Sequence, residues 1–122
     1  ERLLTEFTLQ DVRNILAQNL SGGQKKKLVI ARALINKPRI LLMDEIFAAV
    51  DPITIENIKK IIVNLQVNKN ISILITDHAF DNVLQISDKI FIISDGKIIS
   101  SGKPQDIIRD ENAREVYFGE TY

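Results

Sequence analysis

Three short apolar runs punctuate the chain. Ile40-Leu41-Leu42-Met43 leads into Asp44-Glu45, Ile71 to Thr76 leads into Asp77-His78, and Lys89 to Ser94 leads into Asp95-Gly96. Runs of this length and apolar content predict buried strands, covered on both faces. Between the first two, Ile55, Ile58, Ile62 and Leu65 fall on one stripe at helical spacing. They predict a surface helix from Asp51-Pro52, an N-cap followed by proline at the first helical position, to about Asn68. A second helix is predicted over Ala79 to Ile86. Upstream, Leu20-Ser21-Gly22-Gly23-Gln24 turns into a helix that runs to about Ile35. Ser21 is its N-cap and Asn36-Lys37-Pro38 its stop, and most of it is expected to be buried. Residues 2 to 19 are loosely helical, with a break at Thr8 to Asp11. Downstream, Asp95-Gly96 predicts a hairpin turn into Lys97 to Ser100, and Pro104 opens a terminal helical pair ending near Tyr117. Strand, helix, strand, helix, strand predicts an α/β fold: a parallel sheet with flanking helices, then a C-terminal β-hairpin and helices.

Composition narrows this picture little. The 122 residues, 45% of them apolar, suffice for one small core. Sixteen basic and sixteen acidic residues cancel, so no global charge favours nucleic acid as a partner. The absence of cysteine excludes disulfides and thiolate metal sites. No apolar run approaches the roughly 20 residues that span a bilayer, and Glu1-Arg2 does not open a signal-peptide pattern.

Candidate chemistry gathers at the ends of the strands. In an open α/β sheet the ligand crevice lies beyond the carboxyl ends of the strands, where Asp44 could hold Mg²⁺ and Glu45 could orient water. The same two carboxylates could equally do no more than solvate a strand end. Ser21-Gly22-Gly23 at a helix start offers backbone N–H groups and the positive end of a helix dipole, which suit a phosphate. A plain glycine turn would look the same. Lys25, Lys26 and Lys27 crowd that helix start, where the dipole disfavours cations unless something anionic approaches; a solvated basic face is the alternative. His78, the single histidine, follows its strand at the same sheet end as Asp44 and Glu45, within reach of a phosphate oxygen there, although a lone histidine is often merely structural.

Taken in order, Leu20-Ser-Gly-Gly-Gln24, Ile40-Leu-Leu-Met-Asp-Glu45, Val50-Asp51-Pro52 and Ile75-Thr-Asp-His78 resemble the signature, Walker B, D-loop and switch-histidine motifs of ABC ATPase domains, a P-loop NTPase fold. The resemblance covers essentially the whole chain. It is closest to the lipopolysaccharide-export branch, through Phe47-Ala-Ala-Val-Asp-Pro52, Ile75-Thr-Asp-His78 and Val116-Tyr-Phe-Gly-Glu120; the branched-chain amino-acid uptake ATPases are second. It implies that residues 1–19 are the tail of the helical subdomain and 20–122 the C-terminal part of the ATPase core. It implies that Ser21, Gly22, Gly23 and Gln24 contact the γ-phosphate of ATP held by a second protomer, and that Asp44 binds Mg²⁺ through water. Glu45 would then be the general base or water-positioning residue, Asp51 the dimer-contacting acid, and His78 the γ-phosphate switch. ATP and Mg²⁺ are the implied cofactors. The implied partners are a second ATPase protomer and transmembrane transporter subunits, at the cytoplasmic face of the inner membrane.

The sequence also departs from that family. Ile46 stands where proline usually follows the glutamate, and Ala49 where this branch usually has glycine, a residue suited to an unusual backbone angle. No segment matches G-x-x-x-x-G-K-[ST]. The family's P-loop strand lies between the strands at 71–76 and 89–94, so the sheet is expected to lack a central strand, with unpaired backbone groups left at the gap. The chain would then pair with a separate P-loop-containing half, rearrange to close the gap, or be marginally stable. Two functional readings stand beside that of a transport ATPase subunit inactive by itself. One is a non-catalytic remnant or interaction module that keeps the signature motif as a docking surface. The other is a chromosome-maintenance or repair ATPase, which the neutral charge and absence of coiled-coil heptads disfavour.

Overall fold

The computed structural model describes residues 1–118, with side chains to Val116. The last four residues of the sequence, including Gly119 and Glu120 of the export-type ending, lie outside the described residues. The chain divides into two compact units, one from Glu1 to His78 and one from Ala79 onward.

In the first unit, a short helix α1 (Arg2–Glu6) is followed by 3₁₀ turns at Gln10–Val12 and Ala17–Asn19. The break expected at Thr8 is present, with Thr8 in the left-handed region at φ 54°, but only turns follow it. Phe7 and Leu9 flank that break and are almost fully buried, so this segment is held by its side chains more than by helix length. Helix α2 (Gly22–Ala33) is capped by Ser21 as expected and runs into a 3₁₀ turn at Leu34–Asn36. The stop falls at Lys37, whose left-handed φ of 48° ends the helical path before Pro38. The expectation that most of α2 is buried is corrected: only Gly23, Ile30 and Ala31 are, and Val29 and the following Ile35 are exposed.

Strand β1 (Ile40–Asp44) pairs in parallel with β2 (Ser72–Thr76), with Leu41 opposite Ile73 and Asp44 opposite Thr76. The crossover between them is α3 (Pro52–Lys69), an 18-residue helix that buries Ile58, Ile62 and Leu65 of the expected stripe, while Ile55 is only half-buried. Its last turn closes on Asn70 at φ 53°, and Lys69 Nζ meets Glu6 Oε1 at 2.5 Å, fastening the crossover to α1. The reading of β1 and β2 as strands covered on both faces is overturned. Burial alternates along β1: Leu41 and Met43 are buried, whereas Ile40 and Leu42 are 65% and 72% exposed, as is Leu74 of β2 at 56%. An unbroken apolar run cannot distinguish one covered face from two, because the helices of this unit supply cover on a single side.

The second unit contains α4 (Phe80–Ile86), β3 (Ile90–Ser94), β4 (Lys97–Gly102), α5 (Pro104–Ile107) and α6 (Glu111–Phe118). β3 pairs antiparallel with β4 across the expected Asp95-Gly96 hairpin, and among the described residues this ladder is separate from the parallel β1–β2 pair, in keeping with the gap expected between the strands at 71–76 and 89–94. Asp95 and Gly96 both have positive φ, 48° and 72°, the conformation of a two-residue turn whose twist matches the strands it joins. This local hairpin provides β3 with its ladder. The register shifts between Ile92 and Ile93, and β4 runs two residues beyond the expected Ser100. Ile90, Ile92, Ile107 and Ala113 form the core of the unit, with Phe80, Val83, Leu84 and Ile99 packed against it. Among the described residues β1 and β2 each have a ladder partner on one edge only.

Candidate functional site

All the candidate residues lie in the first unit, at two helix starts and at the adjacent ends of β1 and β2. Ser21 Oγ accepts the N–H of Gln24 at 3.2 Å, and Gln24 Oε1 accepts the N–H of Ser21 at 2.9 Å. This reciprocal capping box satisfies two of the orphan donors of α2 and leaves Ser21 and Gly22 exposed. The Gln24 side chain is therefore occupied in shaping the helix start.

The loop after β1 is packed against that start. A Cβ on Gly22 would stand 3.4 Å from the carbonyl oxygen of Ala49. One on Gly23 would come within 2.5 Å of Thr54 Cγ2 and 2.9 Å of Thr54 Oγ1. Gly23 thus allows α2 to approach the first turn of α3 more closely than any side chain would permit.

Asp44 ends β1 with its carboxylate exposed, and Asp44 Oδ1 accepts the hydroxyl of Thr76, its ladder partner. Glu45 is exposed too and turns out of the strand at φ 47°, a left-handed angle for a residue with a side chain. Its backbone is held at both ends. Glu45 N–H donates to Thr76 O at 2.7 Å, and Glu45 O accepts the N–H of Ala48 at 3.3 Å and the ammonium of Lys26 at 2.6 Å. Phe47 N–H donates to Asp77 Oδ2 at 2.9 Å, while Ile46 and Phe47 are buried. The end of β2 thereby fastens the loop that carries Glu45. His78 follows Asp77, exposed, at this same end of the parallel pair.

Asp51 caps α3. Its carboxylate accepts the Thr54 hydroxyl at 2.6 Å and the Thr54 N–H at 2.9 Å. These two bonds, the hydroxyl first, hold its carboxyl below the ordinary value of 3.8. A carboxyl depressed in the folded state contributes stability in full above its unfolded value. That contribution is lost as pH falls from about 4 through the lower folded value. Asp51→Ala is therefore expected to melt with a shallower pH dependence below about pH 4 than the parent chain, checked by thermal melts from pH 6 to 2.

Ala49 occupies the left-handed region at φ 55°, the angle for which glycine was expected at this position. A side chain there costs roughly 1–2 kcal/mol, and the greater freedom of glycine in the unfolded chain offsets about 0.4–1 kcal/mol of that. Ala49→Gly is expected to stabilise the chain slightly, by about 0.5 kcal/mol, measured by urea denaturation.

The structure thus brings Ser21, Gly22, Gly23, Gln24, Asp44, Glu45, Asp51 and His78 onto one unit and ties the α2 start, the 45–49 loop and the α3 start to one another. Sequence reasoning assigned no role to Thr76, Asp77 or Thr54, which with Lys26 make those ties. Thr76 was legible in principle as a hydroxyl opposite Asp44 in a parallel register. The lysines at the start of α2 were read as facing an anion or solvent. That is corrected for two of them: Lys26 reaches Glu45 O, and Lys27 Nζ donates to Thr8 Oγ1 at 3.1 Å.

The donor set suits Mg²⁺ and nucleotide only in part. No group of three or more His, Cys, Asp or Glu side chains gathers among the described residues. One exposed carboxylate at Asp44 fits an ion that keeps its waters and takes further oxygens from phosphates, as Mg²⁺ characteristically does.

Known proteins resemble this chain along its whole length. The family description "ABC transporter" matches residues 1–48. The lipopolysaccharide export system ATP-binding protein LptB of Haemophilus influenzae is 42% identical over 122 residues, all of this chain and 50% of that protein. LptB of Escherichia coli K12 is 40% identical over 120 residues, 98% of this chain and 49% of its own length. Among solved structures, an ATP-binding cassette of an ABC transporter in its ADP conformation aligns with a TM-score of 0.86 at 32% identity, covering 98% of this chain and 48% of that one. A Clostridium perfringens protein described as part of the ABC transporter complex cbiONQ aligns at 0.80 and 28% identity, covering 94% and 47%. The chain spans about half the length of the relatives it matches. Similar from end to end in sequence and in fold to ATP-binding cassettes, the chain belongs to the ABC transporter ATPase family.

Proposed function

We propose that this chain supplies the signature, Walker B, D-loop and switch-histidine half of an ABC ATPase that hydrolyses ATP between two protomers and drives lipopolysaccharide export from the cytoplasmic face of the inner membrane. The observation that carries the reading is the joining of two groups on one unit. These are the capped, exposed start of α2 and the exposed Asp44–Glu45 pair at the end of the parallel strands. The likeness to LptB proteins supports the export branch. Residues 1–19 belong to the helical subdomain on this reading, and residues from 20 onward to the core.

In the assembled enzyme, Ser21, Gly22 and Gly23 face the γ-phosphate of ATP bound by the second protomer, where exposed N–H groups at a helix start stabilise negative charge. Gln24 acts through its bond to Ser21, keeping that helix start in shape. Asp44 would hold Mg²⁺, which would supply charge neutralisation at the phosphates. Glu45 orients the attacking water or takes its proton, and His78 senses the γ-phosphate. Asp51 meets the partner protomer across the D-loop. Positioning and charge stabilisation are what phosphoryl transfer chiefly requires. The sequence contains no P-loop motif, so nucleotide affinity arises only with a P-loop-containing half, and transmembrane subunits select the cargo.

The test is isothermal calorimetry of Mg-ATP against this chain, first alone and then mixed with the N-terminal half of the Haemophilus influenzae relative. Binding in the mixture but not alone supports the reading. Tight binding by the chain alone overturns it.

A further inference from the structure

Lys26 belongs to the helix that starts with the signature residues, yet its ammonium is not left to solvent alone. It spans to the loop after β1 and donates to the main-chain carbonyl of Glu45 at 2.6 Å, the length of a charge-assisted hydrogen bond. That carbonyl belongs to the residue in the loop whose backbone is least free. Glu45 sits at φ 47°, its N–H is spent on Thr76 O at 2.7 Å, and its carbonyl also takes the N–H of Ala48 at 3.3 Å. A peptide held at both ends directs its side chain. From Glu45 N–H the restraint runs to β2, and from Glu45 O it runs, through Lys26, to α2.

We propose that Lys26 is a positioning residue that couples the two sites of the ATPase dimer. It holds the Glu45 carboxylate of its own protomer in register with the signature helix, which reads the nucleotide bound by the other. The inference rests on the dimeric ATPase reading above. Movement of α2 when Ser21 and Gly22 engage a phosphate is transmitted by a cation seated on the Glu45 peptide. Lys27, bonded to Thr8, is tied instead to the segment that precedes the helix. The lysine also favours the left-handed turn at Glu45, because it binds the carbonyl that this turn presents towards α2.

The experiment uses the ATPase reconstituted from this chain and the P-loop-containing half, with Lys26→Met and Lys26→Arg compared with the parent. Methionine keeps the length and apolar stem and removes the donor. Lys26→Met is expected to lower kcat by about ten- to a hundredfold, the range for one charge-assisted hydrogen bond acting on the transition state alone. KM for Mg-ATP should stay within about twofold. Lys26→Arg should restore most of the rate, since guanidinium also donates to a carbonyl. Unchanged kcat in Lys26→Met, with an active parent, overturns the role of Lys26 and leaves the ATPase reading standing. A fall in kcat that arginine does not repair, accompanied by an equal loss of thermal stability in both variants, also overturns it, by showing a packing role. An inactive parent enzyme removes the ATPase reading, and this inference with it.

Discussion

On the proposed assignment of Glu45 as general base, Glu45→Gln in the reconstituted ATPase is expected to reduce turnover by about 10²–10⁴-fold, while nucleotide-bound dimers accumulate. The substitution is well suited to the geometry. Every contact that holds residue 45 in place is made by its backbone: Thr76 O, the Ala48 N–H and the Lys26 ammonium. Glutamine preserves all three and the side-chain shape, and removes only the negative charge and the proton acceptor. The exposed carboxylate makes no hydrogen bond that the fold needs, so stability should be unchanged. Single-turnover hydrolysis together with size-exclusion chromatography in Mg-ATP measures both effects. Ordinary turnover by the variant would remove Glu45 from the chemistry and leave water positioning to another group.

Gly23→Ala is expected to have the largest effect on stability. Alanine ordinarily improves a helix, by up to about 1 kcal/mol over glycine. Here the added methyl would stand 2.5 Å from Thr54 Cγ2. Thr54 has little freedom to turn aside, because its hydroxyl is bonded to Asp51 Oδ2 at 2.6 Å and its N–H to Asp51 Oδ1 at 2.9 Å. Either α2 separates from α3 or the Asp51 cap is lost. Overpacking of this kind costs about 1–3 kcal/mol, so the net change should be destabilising despite the gain in propensity. Urea denaturation measures it. Thr54→Ser in the same chain deletes the nearest atom, Cγ2, and should recover part of the loss. A Gly23→Ala chain as stable as its parent would show that the two helix starts can part freely. Because the same contact supports the signature turn, the proposed ATPase dimer should also be weakened by this variant.

Both predictions concern ties between elements, and such ties mark the boundary of what was legible beforehand. The capped start at Ser21, the cap and proline at Asp51-Pro52 and the stripe Ile58, Ile62, Leu65 are local patterns, each decided within a few residues, and the structure shows all three. The Asp95-Gly96 hairpin is of the same kind, since two adjacent residues must both adopt positive φ. The left-handed angle at Ala49 was foreseeable because glycine was expected there.

The misreadings have a common origin. A run such as Ile40–Met43 reports that a strand is apolar, but exposure of Ile40 and Leu42 depends on which other elements supply cover. The pairing of the strand at 89–94 with the segment from Lys97 was, by contrast, foreseeable, because an adjacent hairpin strand closes at small entropic cost while a distant parallel partner requires a longer loop to be ordered. The lysines at the start of α2 show the same limit at the level of single side chains. Their charge and position were plain, yet Lys26 finds its acceptor 19 residues away on Glu45 and Lys27 finds one 19 residues upstream on Thr8.

The sequence by itself therefore determined the order of elements, the caps, the turns and the family motifs, all of which depend on short-range backbone chemistry. Only the tertiary structure decided which sheet faces are covered and which side chains hold the Glu45 loop. Those outcomes depend on elements far apart in the chain meeting in space, and no local pattern encodes the distance between them.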